Sequence, residues 1–149
     1  MENKEKAAHI QKKMYDKDWF SQWLGIECID SGAGYSKLKM VVRKEMLNGF
    51  GIAHGGITYS LADSALAFAS NSHGRMAVSI ETSISHTESL VEGDIIIAEA
   101  EELSLSNKIG VYQIKVSKPD HKVVALFKGT VYRTSKEWFP GSSTNPIKN

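Results

Sequence analysis

Along most of the chain apolar and polar residues alternate, and in one segment only do apolar positions close round the whole circumference. Residues 35–43, YSKLKMVVR, set Leu38, Met40 and Val42 against Lys37, Lys39 and Arg43, which predicts a strand with one buried and one solvated face. Residues 24–29 read as its partner across the turn signal SGAG. Four more strand-like runs occupy 77–87, 94–104, 109–117 and 122–134, separated by EGD, SNK and PDH, and they predict an antiparallel meander. In the first of these, alternation puts Val78, Ile80 and Ile84 on one face and Ser79, Glu81, Ser83 and Ser85 on the other.

The exception to alternation is 57–72. Ile57, Leu61, Ala65 and Phe68 recur at helical spacing, and Ala62, Leu66 and Ala69 widen the stripe until it covers most of the helix. Such a helix is buried on nearly every side, and Gly74 supplies its stop. The four glycines of 47–56, with no periodicity, make the preceding segment a loop. Near the start, 2–15 are good helix formers, and Asp16 or Asp18 can cap a second short helix, DWFSQWLG, ending at Gly25. Its Trp19, Phe20 and Trp23 fall at helical spacing and read as a lid packed on the core, with a ligand-facing aromatic as the alternative.

These elements assemble as an α+β fold in which a curved antiparallel sheet of five to six strands wraps one central helix, preceded by short N-terminal helices. Only one face of the sheet reaches that helix. The other must be solvated or paired with a second subunit, so a homodimer is the leading expectation. The expected organisation is an N-terminal helical segment over 1–24, the helix-and-sheet domain over 25–135, and a flexible tail over 136–149 that ends in the polar run GSSTNPIKN.

Composition narrows the function classes. A length of 149 residues suits one domain with its own core. A formal charge of +1 without basic blocks gives no signal for nucleic acid. No apolar run approaches about 18 residues and the charged start lacks a signal-peptide core, so a cytoplasmic protein without a membrane span is expected. Cys28 is the only cysteine, which excludes an internal disulfide and a cysteine-based zinc framework. The burial preference of free cysteine makes it a small core hydrophobe rather than a nucleophile. The pattern calls for no metal and no cofactor.

Candidate chemistry concentrates in residues 51–63, GIAHGGITYSLAD. A helix that begins at Gly55 or Gly56 presents unpaired N–H groups and the positive end of its dipole, and glycine lets a ligand approach them. That suits a carbonyl developing negative charge. The alternative is that the glycines permit close packing of helix on sheet. Asp63 shares a face with Tyr59, Ala67 and Ser70, and a carboxylate in a mostly buried helix needs solvent or a partner. It is a site candidate, or else a buried hydrogen-bond anchor. With eight residues between Gly55 and Asp63, roughly 12 Å along one helix, a single carbonyl is out of reach of both unless two subunits contribute. Asn48 can hold a carbonyl or a water, or form the turn before Gly49. His54 can donate at the helix entry or satisfy loop backbone. Ser79 can orient a water on Asp63 or stand in solvent.

Asn48, then His54-Gly55-Gly56, then Leu61-Ala62-Asp63, followed by a Ser-containing strand and Glu92-Gly93-Asp94, resemble the hotdog-fold acyl-CoA thioesterases, in particular the phenylacetate-degradation (PaaI-like) branch. The resemblance spans roughly residues 25–134. It implies that Asn48 and His54 help hold the thioester, that the Gly55 N–H polarises its carbonyl, that Asp63 from the partner subunit acts as general base or nucleophile, and that Ser79 positions the water. It also implies dimers that pair into tetramers, with an acyl-CoA or aryl-CoA substrate lying across the subunit boundary. One departure stands out. Where relatives often carry a hydrophobic-Leu-Arg-Pro run, this chain reads His86-Thr87-Glu88-Ser89, so a cation that would meet CoA phosphates is replaced by Glu88. Lys108, Arg133 and Lys136 are the candidate replacements.

Two other functions fit the same fold. A hotdog hydratase or dehydratase needs a His and an acid arranged for proton transfer, often with a His-Phe-Pro-Gly helix entry, and that entry is not present here. A non-catalytic acyl-CoA binding module needs only the pocket. The acyl group itself is not legible, because pocket walls come from scattered residues such as Tyr59, Phe68 and the N-terminal tryptophans.

Overall fold

The computed structural model describes residues 3–141. Two short helices, α1 (Asn3–Tyr15) and α2 (Trp19–Leu24), precede the hairpin of β1 (Glu27–Gly32) and β2 (Tyr35–Val41). A 3-10 turn at Lys44–Met46 and a glycine loop then lead into α3 (Gly55–Asn71). The strands β3 (Arg75–His86), β4 (Ile95–Leu105), β5 (Ile109–Ser117) and β6 (Val123–Glu137) complete the chain. One antiparallel six-stranded sheet results, in the order β1-β2-β4-β5-β6-β3, and α3 packs on its concave face.

The core is the meeting of α3 with alternate positions of the strands. Leu61, Ala65, Leu66 and Phe68 from α3 are buried against Leu38 and Met40 of β2, Ile96 and Ala98 of β4, Ile114 of β5 and Phe127 of β6. Small residues let the helix come close. At Gly129 on β6 an added Cβ would stand 2.5 Å from Leu66 Cδ2, so only glycine leaves room for that side chain.

Three expectations about the N-terminal region change. Leu24 belongs to α2 rather than to a strand, because Gly25, at φ +74°, closes the helix and β1 begins only at Glu27. Trp19, Phe20 and Trp23 are not a core lid. Trp19 is 72% exposed, and Ser21 and Leu24 form the buried side of α2. The six-residue helix is fixed by Asp18, whose carboxylate accepts the Ser21 N–H and hydroxyl, and by Leu24, so its aromatics are free to face outward. Cys28 is exposed and not a core residue, because β1 is an edge strand of the sheet.

The four later strands do not form one meander. β4, β5 and β6 do, but β3 pairs with β6 and sits at the far edge of the sheet. The reason is the connection. Residues 87–94 are too long for a hairpin turn and carry the chain past the start of α3, where Leu90 O accepts the Ala53 N–H at 2.7 Å. Alternation within β3 also fails, because its register with β6 shifts between Ser79 and Glu81. The inserted residue reverses the faces: Ser79 pairs with buried Val131 and Ile84 with buried Phe127, while Val78 and Ile80 are exposed. Ser79 therefore lies on the α3 side of this edge strand, exposed and apart from Ser83 and Ser85.

At the other end, β6 continues through Glu137 into the span expected to be tail, and Trp138 Nε1 donates to Asn71 Oδ1 at 2.8 Å, which anchors the strand end to α3. The rest of the expected tail, 142–149, lies outside the described residues.

Candidate active site

The entry to α3 is built by backbone and one imidazole. His54 is the N-cap, with extended φ and ψ, and its Nδ1 accepts the Gly56 N–H at 3.2 Å. Its carbonyl accepts the Ile57 N–H at 2.9 Å. An acceptor Nδ1 places the ring proton on Nε2, at the exposed side of the ring. The Gly55 N–H, first in the helix, stands outside both bonds and points along the positive end of a 17-residue dipole. The Asn48 side-chain oxygen is already engaged: it accepts the Phe50 N–H at 2.9 Å and the Ile52 N–H at 3.4 Å, the turn-forming alternative for this residue. Its amide N–H groups remain for a ligand. Phe50, at the loop tip between Asn48 and His54, is 90% exposed.

Two turns further along α3 the environment differs. Asp63 lines a cavity of about 270 Å³ with Ala67 and Ser70 of its own helix and Ala77, Ser79 and Val131 from the sheet. Its carboxylate accepts no hydrogen bond from any described residue. Burial first, and the negative charge of Asp18 second, push its carboxyl above the ordinary aspartate range. Asp18 is tied to this helix, since Ser21 Oγ, which donates to Asp18, also lies 2.7 Å from Ser64 Oγ. Ser79 and Asp63 thus share one cavity, as the β3 bulge requires, whereas Asn48, His54 and Gly55 line none of it.

The sequence missed two groups near these positions. His86, at the end of β3, has its Nε2 3.1 Å from where a Cβ on Gly55 would stand. Asp18 was legible only as a cap. Neither proximity has a sequence signal, because both depend on strand order and on how α2 lies against α3. The region where a cation was missing also looks different. Glu88 pairs with Lys122 at 3.2 Å, so positive charge does reach that corner from the loop before β6. Arg133 instead donates to Ser106 O in the β4–β5 turn. Among the described residues no group of three or more His, Cys, Asp or Glu is placed to hold a metal ion, and no helix is long and apolar enough to cross a membrane.

What the arrangement can do follows from its two halves: a helix N-terminus able to stabilise an oxyanion and an unpartnered carboxylate able to take a proton. Comparisons with known proteins place the chain in a family. The model of the thioesterase superfamily matches residues 50–125. A putative esterase of Archaeoglobus fulgidus is 42% identical over 91% of this chain and 88% of its own. The acyl-coenzyme A thioesterase PaaI of Escherichia coli is 38% identical over 86% of this chain and 91% of its own, and its solved structure superimposes with a TM-score of 0.88 over 90% of this chain and 97% of that one. A Streptococcus mutans protein solved with acetyl CoA bound is 25% identical over 75% of this chain and 90% of its own, with a TM-score of 0.73. The chain belongs to the thioesterase superfamily and has its hotdog fold, close to the PaaI protein of E. coli.

Proposed function

We propose that the protein hydrolyses acyl-CoA or aryl-CoA thioesters to the free acid and CoA, at sites shared between two copies of the chain. The carrying observation is Asp63: a half-buried carboxylate, raised above its ordinary range, without a hydrogen-bond partner, facing a cavity with Ser79. The Gly55 N–H of one protomer polarises the thioester carbonyl, with Asn48 and His54 holding the substrate beside it. The partner subunit's Asp63 takes a proton from water as the water oxygen attacks the carbonyl carbon. Negative charge builds on the carbonyl oxygen and is met by the Gly55 N–H and the α3 dipole. When the C–S bond breaks, the CoA thiolate leaves and takes up a proton. Ser79 orients the water. A carboxylate with a raised proton affinity is a stronger base than an ordinary aspartate, which suits Asp63 to take the proton of the attacking water.

A second chain is called for on two counts. Gly55 and Asp63 lie about 12 Å apart along the same helix. β3 is also an open edge of twelve residues with Val78 and Ile80 exposed on it, and such an edge is an aggregation hazard unless covered. Pairing β3 with its own copy covers the edge and brings the two α3 helices alongside. A further pairing of dimers through the outer sheet face gives a tetramer.

Release of free thiol from a panel of acetyl-, hexanoyl-, phenylacetyl- and benzoyl-CoA tests the reading directly. Turnover of at least one member, abolished by Asp63→Asn with ligand binding retained, is the expected result. Absence of thiol release from every member, with CoA still bound, would move the non-catalytic binding module ahead.

A further inference from the structure

His86 approaches Gly55 with its nitrogen edge leading. From the position of a Cβ added at Gly55, Nε2 is 3.1 Å away, Cε1 3.5 Å and Cδ2 3.7 Å. The residue ends β3, where pairing with Ala125 of β6 holds its backbone. Its imidazole makes no hydrogen bond or ion pair with any described residue, and it is exposed. Ordinary backbone dimensions put Nε2 no more than about 5.6 Å from the Gly55 amide nitrogen. An oxygen that accepts at about 2.9 Å from each of two nitrogens can bridge donors up to about 5.8 Å apart, so one carbonyl oxygen can take both.

We propose that His86 Nε2–H is a second donor to the thioester oxygen, beside the Gly55 N–H and from the same protomer. The inference rests on the hydrolase reading above. A neutral imidazole protonated at Nε2 donates one hydrogen bond, which strengthens as charge builds on the oxygen, and no proton is transferred. The same contact accounts for glycine at position 55, since any side chain there would displace the ring. Gly55 is needed for the room it leaves as well as for its amide. Because the donor acts on charge that develops in the transition state, its loss lowers kcat rather than raising KM.

The test compares His86→Ala, His86→Phe and His86→Gln with wild type in the full chain, on whichever of acetyl-, hexanoyl-, phenylacetyl- or benzoyl-CoA the wild type turns over fastest. The Ala and Phe variants should lose about 10²-fold in kcat with KM within about threefold, and Gln, which keeps an N–H donor, should recover about tenfold of that. A second measurement needs no variant: the ¹⁵N resonance of His86 Nε2 in wild type should shift on saturation with an acetyl-CoA analogue in which CH₂ replaces the thioester sulfur. A Phe variant with wild-type kcat, a rise in KM alone, or a His86 resonance that does not move overturns the assignment of His86. A wild type inactive on all four thioesters overturns the hydrolase reading, and this inference with it.

Discussion

Ser21 Oγ stands 2.7 Å from Ser64 Oγ, and through that contact the carboxylate of Asp18 is fixed to the helix turn that carries Asp63. Two acids are thus held in one neighbourhood, and the charge of Asp18 adds to burial in disfavouring ionisation of Asp63. A general base works only when ionised, so kcat/KM should rise with pH through the Asp63 value, above the ordinary aspartate range. Asp18→Asn keeps a good cap for α2 but removes the charge. The acid limb of the kcat/KM profile should move to lower pH, and only part of the way, because burial is the larger cause. A limb that stays in place would show that Asp18 is a cap and nothing more.

Asp63→Asn should abolish turnover, with a loss of about 10²–10⁴-fold, and also stabilise the protein at neutral pH. The carboxyl is raised in the folded state, so the folded protein holds the proton more tightly than the unfolded chain. Its contribution is favourable below the unfolded value and is lost as pH rises through the folded value, which leaves the ionised group costing stability at pH 7. Asparagine never ionises. The variant should melt about 2–4 °C higher than wild type at pH 7, and the gain should shrink when both are melted at a pH below the aspartate range.

Gly129→Ala tests the closeness of helix to sheet. The added methyl would meet Leu66 Cδ2 at 2.5 Å and Cδ1 at 3.0 Å, and Leu66, at 1% exposure, is packed in the core with only the cavity beside Asp63 open to it. Overpacking of this kind costs about 1–3 kcal/mol, or roughly 3–10 °C in a domain of this size. Thermal unfolding followed by circular dichroism reads it, and an unchanged midpoint would mean that Leu66 has somewhere to go.

Local periodicity was enough for β5, whose bounds match the pattern, for the existence of α3, which runs over Gly55–Asn71 rather than 57–72, and for the inward set Leu38, Met40 and Val42. What it lacked was anything that depends on pairing. Nothing between residues 87 and 94 tells that β3 will cross to β6 instead of turning back on β4, and strict alternation cannot anticipate the bulge that puts Ser79 on the α3 side. The same limit hid His86. Its neighbour Gly55 is 31 positions away and the two meet only because the end of β3 comes to the start of α3. The aromatic spacing of α2 misled for a different reason. A six-residue helix docked by Ser21 and Leu24 has too little surface to bury three large rings, so Trp19, Phe20 and Trp23 stay outside.

The proposal that each site is shared between two chains can be tested by mixing two inactive proteins. Gly55→Pro removes the polarising N–H at the first helical position, where proline is well accommodated, and His54 already has the extended backbone that precedes proline. The added Cβ meets only the movable imidazole of His86. Asp63→Asn removes the base. Each homodimer then lacks one component at both of its sites. After the two are unfolded together and refolded, half the dimers are mixed. In those, one site combines both defects and the other takes its N–H from the Asp63→Asn chain and its carboxylate from the Gly55→Pro chain. Activity should return to about a quarter of wild type under random pairing. If Gly55 and Asp63 of one protomer served the same site, every site in the mixture would carry a defect and no activity would return.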